Sequence, residues 1–205
     1  VRYEIRARLD EPTGVLAGQQ QVTYINRSPD TLTTFAFHLH LNAFRPGSRW
    51  ADADSMERRR RFNDLQDPDY AFAHVRNVRM MGQGVTPVFP FAPDSTIARF
   101  TLPRPLAPGD SMVVDLDFDA RPSTTPRRQG RRGRAFDFAQ SYPKVVVYDK
   151  HGWNEQPLYP GGEFYGEFGD FDVNITIDQK FVLGGTGTVQ NPDEVGHGYG
   201  PDPKK

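Results

Sequence analysis

Residues 1–9, VRYEIRARL, alternate apolar and polar positions without a break: Val1, Tyr3, Ile5, Ala7 and Leu9 take one phase and Arg2, Glu4, Arg6 and Arg8 the other. Successive strand side chains point to opposite faces, so this run predicts a half-buried strand. The turn DEPTG follows, with Pro12 fixing φ and Gly14 free to take positive φ, and leads to a second strand ending in QVTYIN, hence a hairpin. After RSPD, the run LTTFAFHLHL predicts a third strand with Phe35, Phe37, Leu39 and Leu41 opposite Ala36, His38 and His40. The alternation breaks between Arg49 and Asp69, where residues 52–65, DADSMERRRRFNDL, give the one helical pattern. Strand patterns resume over 73–81, 85–91 and 96–102, and then in SMVVDLDF, where Met112, Val114, Leu116 and Phe118 alternate with Val113, Asp115 and Asp117. A Pro- and Arg-rich loop over 121–134 separates these from KVVVYD, FDVNITI and FVLGGTGTV. Short strands punctuated by 18 Pro and 19 Gly predict an all-β fold, an antiparallel β-sandwich or saddle-like open sheets, with at most one short helix.

Composition narrows the function classes. A chain of 205 residues with 37% hydrophobic and 25% charged residues holds one good core or two small ones, and it is not a disordered composition. A net charge of −1 indicates no surface devoted to nucleic acid. The absence of cysteine removes disulfides, thiolate nucleophiles and Cys-ligated metals, and no apolar run approaches the length of a membrane span. The chain enters a strand pattern at Val1, which reads as a processed or excised piece, and an extracytoplasmic bacterial location, periplasmic or secreted, is the expectation. Residues 1–190 read as one β-domain, and 191–205 as a linker or cut end.

Three clusters carry candidate chemistry. His38 and His40, two apart on a strand, project from one face as some zinc-binding pairs do, with half-exposed histidines opposite a Phe/Leu core face as the competing reading. The arginines of PRRQGRRGR and of ERRRR at 57–61 can grip phosphates, but no aromatic residue interleaves with them, and they read more simply as solvated segments, a mobile loop in the first case. The stretch GGEFYGEFGDFDVNITI, residues 161–177, places Glu163, Glu167, Asp170 and Asp172 among Phe164, Tyr165, Phe168 and Phe171, with Trp153 and Tyr159 upstream. Paired carboxylates and aromatic platforms suit carbohydrate, and a ligand-facing glycine loop leading into a strand is the plainer alternative. H-E-x-x-H, G-x-S-x-G and Walker signatures are all missing, so no self-contained catalytic set is visible.

The blocks YEIRARLD, VTYINRSPDTLTTFAFHLHLNAFR, FAQSYPKVVVYDKHGW and GGEFYGEFGDFDVNITI, followed by FVLGGTG, together resemble the N-terminal domain of peptidase family M1, the aminopeptidase N-like gluzincin metallopeptidases. The resemblance spans nearly the whole chain in the matching order. It implies a saddle-shaped all-β domain that precedes a thermolysin-like catalytic domain bearing H-E-x-x-H and a Gly-x-Met-Glu-Asn strand, neither of which occurs here. It therefore implies no catalytic residue and no metal ligand in this chain, with zinc expected in the absent catalytic domain. It also implies that this domain walls the active-site cleft and offers a Gln or Glu to the substrate's α-amine, for which Gln140 is the first candidate and Glu163 the second, with Tyr165 beside them. The expected partners are the enzyme's own catalytic domain and a peptide N-terminus. The alternative is a free-standing β-sandwich binding module for carbohydrate or peptide.

Overall fold

The structure, a computed structural model, describes residues 1–195. The strands are β1 (Arg2–Asp10), β2 (Val15–Ile25), β3 (Leu32–His38), β4 (Phe72–Met80), β5 (Gln83–Gly84), β6 (Ile97–Leu106), β7 (Ser111–Arg121), β8 (Gln129–Arg132), β9 (Ala135–Phe138), β10 (Lys144–Val145), β11 (Tyr148–Asp149), β12 (Gly152–Trp153) and β13 (Asp170–Thr176). A six-stranded sheet runs in the order β13-β1-β2-β7-β4-β5, a three-stranded sheet in the order β10-β3-β6, and β8-β9 and β11-β12 are separate hairpins. All pairings are antiparallel except β1 with β13. Among the described residues, apart from a 3₁₀ turn at His40–Ala43 and a single exposed turn at Pro192–Val195, helix is confined to α1 (Arg49–Met56). No helix among the described residues is long and apolar enough to cross a membrane. Of the expected linker, residues 196–205, including His197, lie outside the described residues.

The alternation found in the sequence becomes the core. Tyr3, Ile5 and Ala7 of β1, Val22 and Tyr24 of β2, and Met112, Val114, Leu116 and Phe118 of β7 are buried together beneath Phe35, Phe37 and Phe100 of the small sheet. Their polar neighbours face outward, where Gln21 donates to Asp115 at 2.8 Å and Asn77 to Asp117 at 2.6 Å. Burying this apolar set contributes the main stabilisation, about 25 cal/mol per Å² of apolar surface.

Five expected elements differ, the helix among them. The third strand stops at His38, because Asn42 knits the following turn to the sheet: its amide donates to the carbonyls of Ala73 and Ser95, and its carbonyl accepts from the Ala73 N–H. The expected strand over 85–91 reduces to a single bridge between Val88 and Arg99. The loop over 121–134 instead contains β8, which pairs with β9 just beyond it, and FVLGGTGTV forms no strand.

The helix begins and ends earlier than its charge pattern suggests. Ser48 caps it by accepting from the Ala51 N–H at 3.0 Å, and the chain leaves it through Arg58 at φ 60°. The arginines that follow curl back to the fully buried Asp54 carboxylate, with the Arg61 Nε donating at 3.0 Å and Arg59 3.5 Å away. This part of ERRRR is thus not simply a solvated face. Arg61→Leu is expected to cost about 1–2 kcal/mol in thermal unfolding, because it strips a buried carboxylate of its main donor. A melting curve unchanged from that of the parent protein contradicts this role.

Candidate functional site

Gln140 stands between β9 and β10 with φ 55°, a left-handed backbone conformation uncommon outside glycine, and its side-chain carbonyl Oε1 is buried without a hydrogen-bond partner. The segment after it is fixed from the large sheet. Gln20 of β2 donates to the Pro143 carbonyl at 2.7 Å, the Val145 N–H donates to the Tyr3 hydroxyl at 3.1 Å, and Tyr142 packs edge-on against Tyr3 at 5.5 Å. A buried acceptor left empty costs about 1–3 kcal/mol. Gln20 Oε1 is also buried without a partner, but among the described residues only at Gln140 does an empty acceptor coincide with a left-handed backbone, which makes it a candidate for a role beyond stability.

Lys144 pairs in register with His38 and lies directly beneath Gly166, where a Cβ would come within 2.2 Å of the lysine Cε. This contact sets the 140–144 segment against the 163–166 loop. Phe164 of that loop meets His40 edge-on at 4.8 Å. A side chain at 166 would meet only the flexible end of Lys144, so the close approach records where the loop rests on the sheet.

Glu163 is already engaged. Both of its carboxylate oxygens accept from Arg128, whose guanidinium also lies 5.5 Å over the Phe164 ring, and this hydrogen bonding holds the Glu163 carboxyl below its usual range. Tyr165 is half exposed. Of the three residues singled out from the sequence, Gln140 keeps an unused acceptor and Glu163 shares its charge with a cation.

His38 and His40 correct the expectation of half-exposed histidines: both are buried and their rings stack at 4.5 Å. Burial first, and the Lys144 ammonium second, push His38 down to about 4. His40 is held well below the ordinary histidine value by burial, by His38 and by Lys144. His38 Nε2 and both His40 nitrogens lack partners. A cation beside two neutral imidazoles disfavours a metal there, and among the described residues no three metal-ligating side chains converge.

Most arginines of the loop are exposed, as a solvated segment would be, yet three of them also make contacts within the chain: Arg131 donates to the Pro122 and Pro68 carbonyls, Arg134 to Glu11, and Arg128 to Glu163. Trp153, a hypothetical sugar platform, instead packs against Phe35 at 5.4 Å and Tyr148 at 5.1 Å. Sequence reasoning missed Gln20 and Lys144. The one signal for Gln20 is a polar residue in the buried phase of β2, between Leu16 and Val22.

No family model matches the sequence, and no curated protein matches it. Among solved structures the chain is similar to M1 zinc metallopeptidases. The likeness is one of fold. An M1 zinc metallopeptidase from Deinococcus radiodurans matches at 17% identity and a TM-score of 0.43. A mutant of the Deinococcus radiodurans enzyme bound to a Tyr-Ser-Ala substrate matches at 17% and 0.44, as does a two-domain M1 zinc metallopeptidase mutant bound to L-tryptophan. Each match covers 85% of this chain and 31% of the other, so the chain spans under a third of those proteins.

Proposed function

We propose that this chain is the non-catalytic N-terminal domain of an M1-type zinc aminopeptidase, that it forms one wall of the active-site cleft, and that Gln140 accepts a hydrogen bond from the α-ammonium of a peptide N-terminus. The single observation that supports this reading most is the buried, partnerless Oε1 of Gln140 at a left-handed backbone position. An ammonium donor satisfies that acceptor with a charge-assisted bond, whereas Glu163 is already engaged by Arg128. Zinc and the hydrolytic machinery would reside in the rest of the parent enzyme, whose extracytoplasmic location belongs to the same reading. Trp153, packed internally, disfavours the rival carbohydrate module.

The test is Gln140→Ala in the intact enzyme, assayed on peptides with a free N-terminus. The expected result is a fall of about 10- to 100-fold in kcat/KM, the worth of a hydrogen bond to a charged group, with partial rescue by Gln140→Glu. Unchanged kcat/KM sinks the assignment. So does zinc-dependent hydrolysis by the isolated 205-residue chain.

The partner domain has a place to sit. Phe171, Val173 and Ile175 of β13 lie in register with Tyr3, Ile5 and Ala7 on the core-facing side, yet each is more than 40% exposed, and Phe168 beside them is fully exposed. The inner face of the large sheet thus runs past the small sheet that covers it, which is the expected surface for a catalytic domain. The isolated chain is expected to self-associate at high concentration, and Val173→Lys with Ile175→Lys to make it monomeric in sedimentation. A parent chain that is already monomeric at millimolar concentration speaks against a docking role.

A further inference from the structure

A cavity of about 300 Å³ opens between the 3₁₀ turn, α1, the loop before β8 and the 158–164 loop, separate from Gln140 and its clamp. Its walls are Phe44, Trp50, Leu158 and Phe164, closed on one side by Pro126. Phe44 and Leu158 are buried and form the floor; Phe164 is pinned between His40 at 4.8 Å and the Arg128 guanidinium at 5.5 Å, and Trp50 leans on Phe44 at 5.1 Å. The apolar part is therefore held in shape by its own neighbours and stands open to solvent with little to rearrange, as ligand pockets commonly do.

The rim is charged, and the charges do not cancel. Arg127 and Arg128 both line the cavity, and Arg128 is bound on both nitrogens by the Glu163 carboxylate. The Arg127 side chain makes no ion pair and no hydrogen bond among the described residues, although its backbone N–H donates to the Gln129 carbonyl at 2.7 Å. One exposed, uncommitted guanidinium thus overhangs an aromatic pocket. A planar fork of donors matches a carboxylate in two parallel hydrogen bonds.

We propose that this pocket receives the C-terminal residue of a peptide, an aromatic or branched aliphatic side chain entering between Trp50 and Phe164 while its free α-carboxylate pairs with Arg127. The volume suits one such side chain, the walls offer no buried acid to repel the carboxylate, and the surplus positive charge at the rim is complementary to it. The proposal does not depend on the amine-anchoring role of Gln140, because none of the pocket residues belongs to that clamp.

The test uses the 205-residue chain and N-acetyl-L-phenylalanine as probe, followed by nitrogen–proton correlation NMR. The Trp50 indole signal, assigned by its loss in Trp50→Phe, is expected to shift on titration while that of Trp153 stays in place. The neutral probe N-acetyl-L-phenylalaninamide is expected to bind about three- to fivefold more weakly, the worth of an exposed ion pair, and the exposed substitution Arg127→Gln to bring the carboxylate probe down to the level of the amide. Leu158→Phe, which fills the floor, is expected to weaken both probes alike. No shift at 10 mM probe overturns the proposal. Equal binding of acid and amide, or shifts that cluster around Gln140 instead, overturn it as well; N-acetylated probes carry no amine, so their failure leaves the Gln140 reading to its own kinetic test.

Discussion

Lowering the pH from 7 to 4 is expected to reduce the unfolding free energy of this protein by about 3 kcal/mol through His38 alone. His38 titrates near 6.5 when unfolded and near 4 when folded, because burial and then the Lys144 ammonium disfavour its protonated form. A depressed folded value means that the unfolded chain binds the proton more readily. The stability this histidine contributes is thus fully present above pH 6.5, and it is lost progressively as the pH falls towards 4. His40 acts in the same direction, since its ring is stacked on His38 and closed in by Phe164. The two rings sit under the 163–166 loop, so the loop and the Lys144 contact beneath Gly166 are expected to loosen with them. Urea unfolding at several pH values measures the slope, and the double variant His38→Leu, His40→Leu is expected to flatten it between pH 6.5 and 4 whatever its absolute stability. A slope of the same size in the double variant removes the histidines as the cause.

Gly18→Val is expected to be the most damaging single substitution on the large sheet, costing more than about 3 kcal/mol, with Gly18→Ala costing about 1–3 kcal/mol. Gly18 lies in register between Ala7 of β1 and Phe118 of β7. A Cβ there would come within 2.7 Å of the Arg6 carbonyl oxygen, 2.8 Å of the Phe118 ring and 2.9 Å of the Ala7 Cβ. The ring can move, but the Arg6 carbonyl belongs to the β1-β2 ladder and cannot move without breaking it. Gly to Ala usually gains about 0.4–1 kcal/mol by stiffening the unfolded chain, so the measured loss is net of that gain. Gly18→Ala combined with Phe118→Leu is expected to recover only part of the loss. Denaturation midpoints within error of the parent protein for Gly18→Ala show that the strand can shift more freely than the register implies.

Much of this architecture is legible along the chain. β1, β2 and β7 alternate with period two because one face of the sheet is buried and the other wet, and a pleated backbone converts that asymmetry directly into sequence. β3 is harder to read. Phe35, Ala36, Phe37 and His38 are all buried, so the alternation disappears where a strand is covered on both sides, and its end depends on Asn42, whose partners lie 31 and 53 residues away. FVLGGTGTV has a strand-like composition yet joins no sheet among the described residues, since a strand needs a neighbouring strand as well as a propensity.

The site divides along the same line. By itself the sequence determined the sheet faces, the all-β class, the candidacy of Gln140 and the crowding of acids and aromatics at 161–177. Tertiary structure alone decided that Gln140 keeps an empty acceptor while Glu163 is taken by Arg128, that the two histidines are buried against Lys144, and that Arg127 overhangs a pocket its neighbours enclose. The reason is that burial, partner choice and the cost of an unpaired charge are set by groups far apart in the chain. Strand alternation, in contrast, is a property of consecutive residues and is written where they stand.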